Sequence, residues 1–376
     1  MRIGVPGEIK SGEFRVGLVP TSVRELCAAG HDVLVQSGAG ARIGFGDADY
    51  AAAGARVVTG AAEAWAAELV VKVKEPQAVE FAYLRPAQVL FTYLHLAPDL
   101  RQAEALQDSG CVAIAYETVT DPEGKLPLLA PMSAVAGRMA VQAGAHFLEK
   151  TYGGRGVLLG GVPGVAPGRV TVLGGGTVGS HAVRMAVGLG AEVTVIDRNL
   201  KRLDALDREY HGRVRTLMAS GVAIEEAVCR ADLVIGAVLR AGGAAPKLID
   251  RAMLKKMQAG AVIVDVAIDQ GGCCETSHPT THADPVFVVE GVVHYCVANM
   301  PGAVPLTSTL ALNNATLPYV RALADKGWQQ SLRDDPGFAS GLNVCAGQIT
   351  HPVVAAALGK TCTMPADFIA VSAPGK

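Results

Sequence analysis

Through the first 120 residues, short apolar runs alternate with stretches of helical spacing, the pattern of a parallel sheet covered by helices. Runs at Arg2 to Val5, Asp32 to Gln36, Leu69 to Val73, Val89 to Leu94 and Val112 to Tyr116 predict five strands. Between the first two, Thr21-Ser22 predicts a capped helix reaching Ala29, with Gly30 as its left-handed stop. A second series begins at Arg169, with runs at Val170 to Leu173, Val193 to Ile196, Leu233 to Val238, Val262 to Val266 and Val293 to Val297, and a weaker one at Val214 to Leu217. Six strands are what a complete dinucleotide-binding sheet requires. The Gly-rich stretch Gly153 to Gly168 reads as a connector. Beyond Pro301 the spacing turns helical, Leu306 to Ala324, and then irregular, which predicts a tail that returns to the first unit.

Composition agrees with a two-unit α/β protein. A chain of 376 residues is long for one core. Half of it is hydrophobic, with 44 glycines and few aromatics. The net charge of −2, from 33 basic and 35 acidic residues spread along the chain, leaves no footprint for nucleic acid or an anionic membrane and points to a small-molecule partner. Mean hydropathy is positive at +0.31, yet no uninterrupted apolar stretch reaches the ~18 residues of a membrane span; buried parallel sheet accounts for it. No signal-peptide pattern opens the chain, so a cytoplasmic location is the expectation. The eight cysteines (Cys27, Cys111, Cys229, Cys273, Cys274, Cys296, Cys345, Cys362) show no zinc-type spacing, and neither do His278 and His282 beside Cys273-Cys274. Free buried thiols and no metal are expected.

Val170 to Leu173 runs into Gly174-Gly175-Gly176-Thr177-Val178-Gly179, followed by a helix-like stretch to Leu189. This is G-x-G-x-x-G after a strand and before a helix. Gly174 permits the tight turn, Gly176 lets backbone approach a pyrophosphate, and Gly179 allows close helix packing. The pyrophosphate then sits at a helix N-terminus. Asp197 ends the next strand, 18 residues past Gly179, where an acid accepts from the adenine-ribose hydroxyls and repels a 2′-phosphate. NAD is therefore favoured over NADP; the neighbouring Arg198 is the contrary signal.

Ligands of open parallel sheets bind outside the carboxyl ends of the strands. In the first unit those ends deliver Arg15, Lys74 and His95; in the second, Asp269 follows the run Val262 to Val266. A cleft that gathered them would suit oxidation of an α-amino acid. Arg15 and Lys74 would hold a carboxylate, and His95 would handle protons near neutral pH. Asp269 would orient or activate water, or stabilise positive charge as hydride leaves. Singly, each is equally a surface charge or a structural residue, and Lys72, Glu75, Glu117 and Asp265 lie near the same edges.

Seven segments in order resemble the alanine dehydrogenase family, whose fold is shared with the NAD-binding (alpha) subunit of transhydrogenase: Glu13 to Val16, Lys72-Val73-Lys74-Glu75-Pro76, Leu94-His95-Leu96, Leu129 to Ser133, Gly160 to Gly164, Asp265 to Gly272 and Val297 to Pro301. The resemblance implies two doubly wound parallel-sheet (Rossmann-like) domains. A split substrate domain, residues 1–128 and 303–376, would enclose an NAD-binding domain, residues 129–302. It also implies reversible oxidative deamination of L-alanine to pyruvate and ammonia, and a homohexamer. Carried over by position, Arg15 and Lys74 bind substrate and His95 and Asp269 are catalytic. Cofactor contacts fall on Ser133, Thr177, Val178, Asp197, Arg202, Val238, Leu239, Val266, Ala267, Ile268, Asp269, Val297, Ala298, Asn299 and Met300, besides Gly174, Gly176 and Gly179 of the loop. The chain departs from its relatives at His278, where Arg is frequent, and at Ala219, where a Ser occurs. Rival readings are a transhydrogenase-like NAD-binding subunit, against which Lys74 and His95 argue, a saccharopine-type dehydrogenase with a bulkier substrate, and an NAD-binding regulatory protein without turnover.

Overall fold

In the computed structural model, which describes residues 1–238 and 244–369, the chain divides into two compact units. One comprises residues 1–132 together with the chain from Val304 onward, and the other is Ser133–Ala303. Leu239, expected at the cofactor, lies outside the described residues.

The first part of the chain supplies β1 (Arg2–Val5), β2 (Asp32–Gln36), β3 (Arg56–Val58), β4 (Leu69–Val71), β5 (Val89–Thr92) and β6 (Val112–Ala115). The second unit contains β7 (Arg169–Leu173), β8 (Glu192–Asp197), β9 (Val214–Met218), β10 (Leu233–Gly236), β11 (Val262–Asp265), β12 (Val286–Val289) and β13 (Val292–Tyr295). The returning chain adds β14 (Leu342–Cys345) and β15 (Gln348–Ile349) to the first sheet. Both sheets are α/β in character and mostly parallel, with antiparallel pairing only at one end of each: β14 on β6, β15 on β14, and β12 on β13. Strands β4, β6, β10 and β11 are buried along their whole length, as expected where helices cover both faces of a sheet.

The first sheet has the order β15-β14-β6-β5-β4-β1-β2-β3, so the chain winds outward from β1 to β3 and then returns to β4 on the other side of β1. The second has β12-β13-β11-β10-β7-β8-β9, with the equivalent reversal between β7 and β10. Apart from the β12 edge, this is the 3-2-1-4-5-6 order of a dinucleotide-binding sheet. In open sheets of this order ligands bind at such a reversal, outside the carboxyl ends of the two adjacent strands, and candidate residues of each unit lie there.

Several expectations change in detail. Strand β4 ends at Val71 instead of Val73, because the Val73 amide donates to the Glu8 carboxylate at 2.6 Å and leaves the ladder. The helix expected from a Thr21-Ser22 cap starts at Pro20, with Val19 as its N-cap and no side-chain cap of its own. Its stop at Gly30, φ +87°, is as expected. The tail is less irregular than its sequence implied: it begins with the helix Pro305–Lys326, and Val344, Ile349 and Val354 join Leu90, Leu94, Leu106 and Ala113 in one buried cluster. Five of the cysteines are buried free thiols; Cys27 and Cys229 are half-buried and Cys362 is exposed.

Candidate active site

In the first unit the reversal lies between β1 and β4, and the segments leaving those strands carry Arg15 and Lys74. Arg15 is almost fully buried. Glu13 clamps it from two sides, Oε1 accepting from Nε at 2.7 Å and Oε2 from Nη2 at 2.6 Å, while Nη1 approaches Met132 Sδ at 3.1 Å. Burial opposes the charge on both groups, yet the contact between them prevails: Glu13 is held below the usual carboxylate range and Arg15 above its ordinary value. The planar edge of Arg15 that sequence reasoning reserved for a substrate carboxylate is thus engaged by Glu13, an acid to which it had assigned no role.

Lys74 has a different environment. Burial, followed by the adjacent Arg15 charge, pushes its ammonium below the ordinary lysine value. No carboxylate lies within ion-pair distance of its Nζ among the described residues. Lys72, by contrast, is spent on structure. Its Nζ pairs with Glu8 at 3.2 Å and Glu80 at 3.0 Å, all three side chains being buried. Glu8 also accepts from the Lys74 amide at 3.3 Å, so the same carboxylate that ends β4 fixes the peptide that carries Lys74. Glu75 is paired with Lys10.

His95 follows β5, exposed, with φ +49°. A non-glycine residue in that left-handed region carries strain of about 1–3 kcal/mol. Its conformation is held by Glu117, which accepts from the His95 amide at 2.6 Å and from the Leu94 amide at 3.2 Å. The imidazole stacks on Tyr93, centroids 5.8 Å apart and planes 12° from parallel, and the Tyr93 hydroxyl donates to the Leu128 carbonyl at 2.6 Å. An exposed imidazole on a braced turn is equipped to exchange protons with a bound ligand.

In the second unit, Gly174 closes the β7 turn at φ +97°, where a Cβ would stand 2.6 Å from the Ala237 carbonyl oxygen. At Gly179 a Cβ would meet the Gly174 carbonyl oxygen at 1.8 Å, so only glycine permits this helix to approach the turn. At Gly176, the N-cap of the helix Thr177–Gly188, a Cβ would meet nothing within 4 Å among the described residues, and none of their side chains caps that helix end. That combination of open space beside backbone and uncapped N–H groups fits a dinucleotide pyrophosphate. Asp197 accepts from the Gly175 amide at 2.6 Å and from the Asn199 amide at 2.7 Å. Arg202 reaches across the same loop to the Gly175 carbonyl and the Ser180 hydroxyl.

Asp269 is exposed on the 3-10 turn Val266–Gln270 that leaves β11. Asp265, buried at the end of the strand, is committed to the amides of Ala267, Cys273 and Cys274 and the Ser277 hydroxyl. Of the other expected cofactor contacts, Val238 lies just past β10. Val297, Ala298, Asn299 and Met300 follow β13, with Asn299 at φ +59°. Ser133 lies in the first turn of the helix Ala130–Phe147.

Comparison with known proteins gives this arrangement a family. The family described as alanine dehydrogenase/PNT, N-terminal domain, matches residues 4–136, and its C-terminal-domain counterpart matches residues 140–352. The chain belongs to the alanine dehydrogenase/PNT family. It is 64% identical over 370 residues to an alanine dehydrogenase of Halomonas elongata, covering 98% of this chain and 100% of that one. A Mycobacterium tuberculosis alanine dehydrogenase is 54% identical over 371 residues, at 98% and 100% coverage. A solved L-alanine dehydrogenase superposes with a TM-score of 0.93 at 55% identity, covering 96% of this chain and 99% of that one. A transhydrogenase from Sinorhizobium meliloti also superposes, with a TM-score of 0.80 at 25% identity and coverage of 94% and 99%. The family resemblance read from the seven segments and the two-domain α/β fold are therefore both correct. Among the described residues, no helix is long and apolar enough to cross a membrane.

Proposed function

We propose that this member of the alanine dehydrogenase/PNT family catalyses the NAD-dependent, reversible oxidative deamination of L-alanine to pyruvate and ammonia. The observation that carries the reading is the pair Arg15 and Lys74, two half-buried or buried cations on the segments leaving β1 and β4, one of them without an acidic partner. A small carboxylate-bearing substrate supplies the missing negative charge. High identity to alanine dehydrogenases along the whole chain supports alanine as the substrate.

Within that reading the unit Ser133–Ala303 binds NAD, and the other unit binds the amino acid. Gly174, Gly176, Thr177, Val178 and Gly179 would hold the pyrophosphate, Asp197 and Arg202 the adenosine half, and Ser133, Val238, Val266 to Asp269 and Val297 to Met300 the nicotinamide half. Bound NAD supplies a hydride acceptor. Arg15 and Lys74 fix the alanine carboxylate and so orient Cα–H. The substrate amine loses a proton before the hydride leaves Cα, and Asp269 stabilises the positive charge that forms on nitrogen. Water then adds to the resulting iminium carbon, with His95 taking up its proton and returning one to the departing amine. The sum is alanine, NAD⁺ and water converted to pyruvate, ammonium, NADH and a proton.

The test is initial-rate NADH absorbance with purified protein, saturating NAD and L-alanine, glycine, L-serine or L-lysine at alkaline pH. Turnover confined largely to alanine is expected. NAD binding without turnover on any of these would overturn the reading in favour of a transhydrogenase-like or regulatory nucleotide-binding role. A homohexamer and a cytoplasmic location complete the proposal, to be checked by sedimentation velocity and cell fractionation.

A further inference from the structure

The helix Pro305–Lys326 belongs to the same compact unit as Arg15, and among its buried polar side chains Asn313 reaches the segment that follows Arg15. Asn313 Oδ1 accepts from the Val19 amide at 2.9 Å and the Ser22 hydroxyl at 3.1 Å, and its Nδ2 donates to the Gly17 carbonyl at 3.0 Å. The amide of Val19, the N-cap residue of the helix Pro20–Ala28, is thus satisfied by a side chain from far along the sequence.

The position of Gly17 gives the contact its significance. A Cβ at Gly17 would stand 2.3 Å from the Val71 carbonyl oxygen and 3.2 Å from the Lys72 amide nitrogen, so the segment lies directly against the end of β4. Arg15 is two residues before Gly17, and Lys74 is two residues after Lys72. Whatever holds Gly17 against β4 therefore sets the spacing of the two cations. Tyr50 contributes a tie to the Leu18 carbonyl at 2.9 Å, and Asn313 spans Gly17, Val19 and Ser22.

We propose that Asn313 is a positioning residue for substrate binding: it pins the Gly17 to Ser22 segment and thereby fixes Arg15 in register with Lys74. The inference rests on the reading of Arg15 and Lys74 as a carboxylate clamp. It assigns the returning chain a part in substrate recognition without requiring it to touch substrate. Asn313→Leu removes all three hydrogen bonds at similar volume. Asn313→Asp keeps both acceptor contacts but replaces the donor to Gly17 with a charge facing its carbonyl. Ser22→Ala removes one contact and leaves the others.

Pyruvate KM and kcat, NADH affinity by fluorescence, melting temperature, and calorimetric binding of oxamate to the NADH-loaded enzyme would be measured on the full-length variants and the wild type. The expected result is a rise of about tenfold in pyruvate KM and oxamate Kd for both Asn313 variants, a smaller rise for Ser22→Ala, a lesser change in kcat, and NADH affinity within about twofold of wild type. Lower melting temperatures with pyruvate KM and oxamate Kd unchanged would overturn it, because a merely structural asparagine moves stability alone. If Asn313→Leu does not fold, Asn313→Asp and Ser22→Ala decide by the same two constants. Absence of alanine and pyruvate turnover in the wild type would count against the proposed function. Oxamate binding would still report on Asn313 in that case, and failure of the wild type to bind oxamate would overturn both.

Discussion

Glu13 holds Arg15 by both carboxylate oxygens, at 2.7 Å to Nε and 2.6 Å to Nη2, in a pair almost sealed from solvent. A buried guanidinium deprived of its counter-charge is costly, so Glu13→Gln is expected to destabilise the fold by about 3 kcal/mol and to raise pyruvate KM. Because folding lowers the Glu13 pKa, its contribution is fully present above the ordinary carboxylate pKa and is lost as pH falls through the lower folded value. Urea unfolding of the two proteins should therefore show a large gap at neutral pH that narrows in acid. A gap independent of pH would show that the charge on Glu13 is not what stabilises the pair.

Lys74 carries the opposite charge, yet its folded pKa is also lowered and its contribution to stability has the same pH dependence. Burial and the Arg15 charge depress its pKa, so between the folded value and the ordinary value the unfolded chain binds more protons, and stability due to this group rises with pH. Substrate binding changes the other way, since a neutral Lys74 no longer attracts a carboxylate. Pyruvate KM is expected to climb with pH before an ordinary lysine would titrate. In Lys74→Met that climb should vanish, turnover should fall at least a hundredfold, and NADH affinity should persist. Loss of NADH binding in this variant would contradict the assignment of NAD to the other unit.

His95 combines exposure with a left-handed backbone that Glu117 braces from its side. Asparagine tolerates that conformation better than most side chains but cannot exchange protons. His95→Asn is accordingly expected to fold with an unchanged melting temperature and to lose about 10²–10⁴-fold in kcat. Retained kcat would remove His95 from the proton-transfer role. Glu117→Ala, by contrast, should lower both activity and local order, visible as faster amide exchange at Leu94 and His95.

What could be read along the chain was whatever depends on neighbours in sequence. The fully buried strands such as Leu69–Val71 and Leu233–Gly236 announce themselves as apolar runs, and the turn after Leu173 does so through its glycines. Short edge strands escaped: Arg56–Val58 is brief, and Gln348–Ile349 owes its pairing to a strand whose own partner, β6, lies far back in the sequence. The site was legible to the same degree. Arg15, Lys74, His95 and Asp269 became candidates because they follow strands, whereas the contacts of Glu13 with Arg15, of Glu8 with the Lys74 amide, of Glu117 with the His95 amide and of Asn313 with the Gly17 to Ser22 segment are ones that only folding creates. Asn313 lies 294 residues from Val19, and no local pattern marks it as the partner of that amide.

The glycine loop offers the sharpest separation of folding from ligand binding. Beyond its own chain neighbours, Gly176 has no atom of the described residues within 4 Å of where a Cβ would stand, so Gly176→Ala is expected to leave the melting temperature within a few degrees of wild type. The methyl group would instead occupy the space where backbone meets pyrophosphate, and NADH Kd should rise about tenfold or more. Gly179→Ala places its methyl 1.8 Å from the Gly174 carbonyl oxygen, forcing the helix Thr177–Gly188 away from β7. Stability and NADH binding should then fall together. Parallel thermal melts and NADH fluorescence titrations compare the two variants directly. If Gly176→Ala bound NADH as well as the wild type, the pyrophosphate would have to lie elsewhere; if it melted like Gly179→Ala, the open side of the loop would be filled in solution.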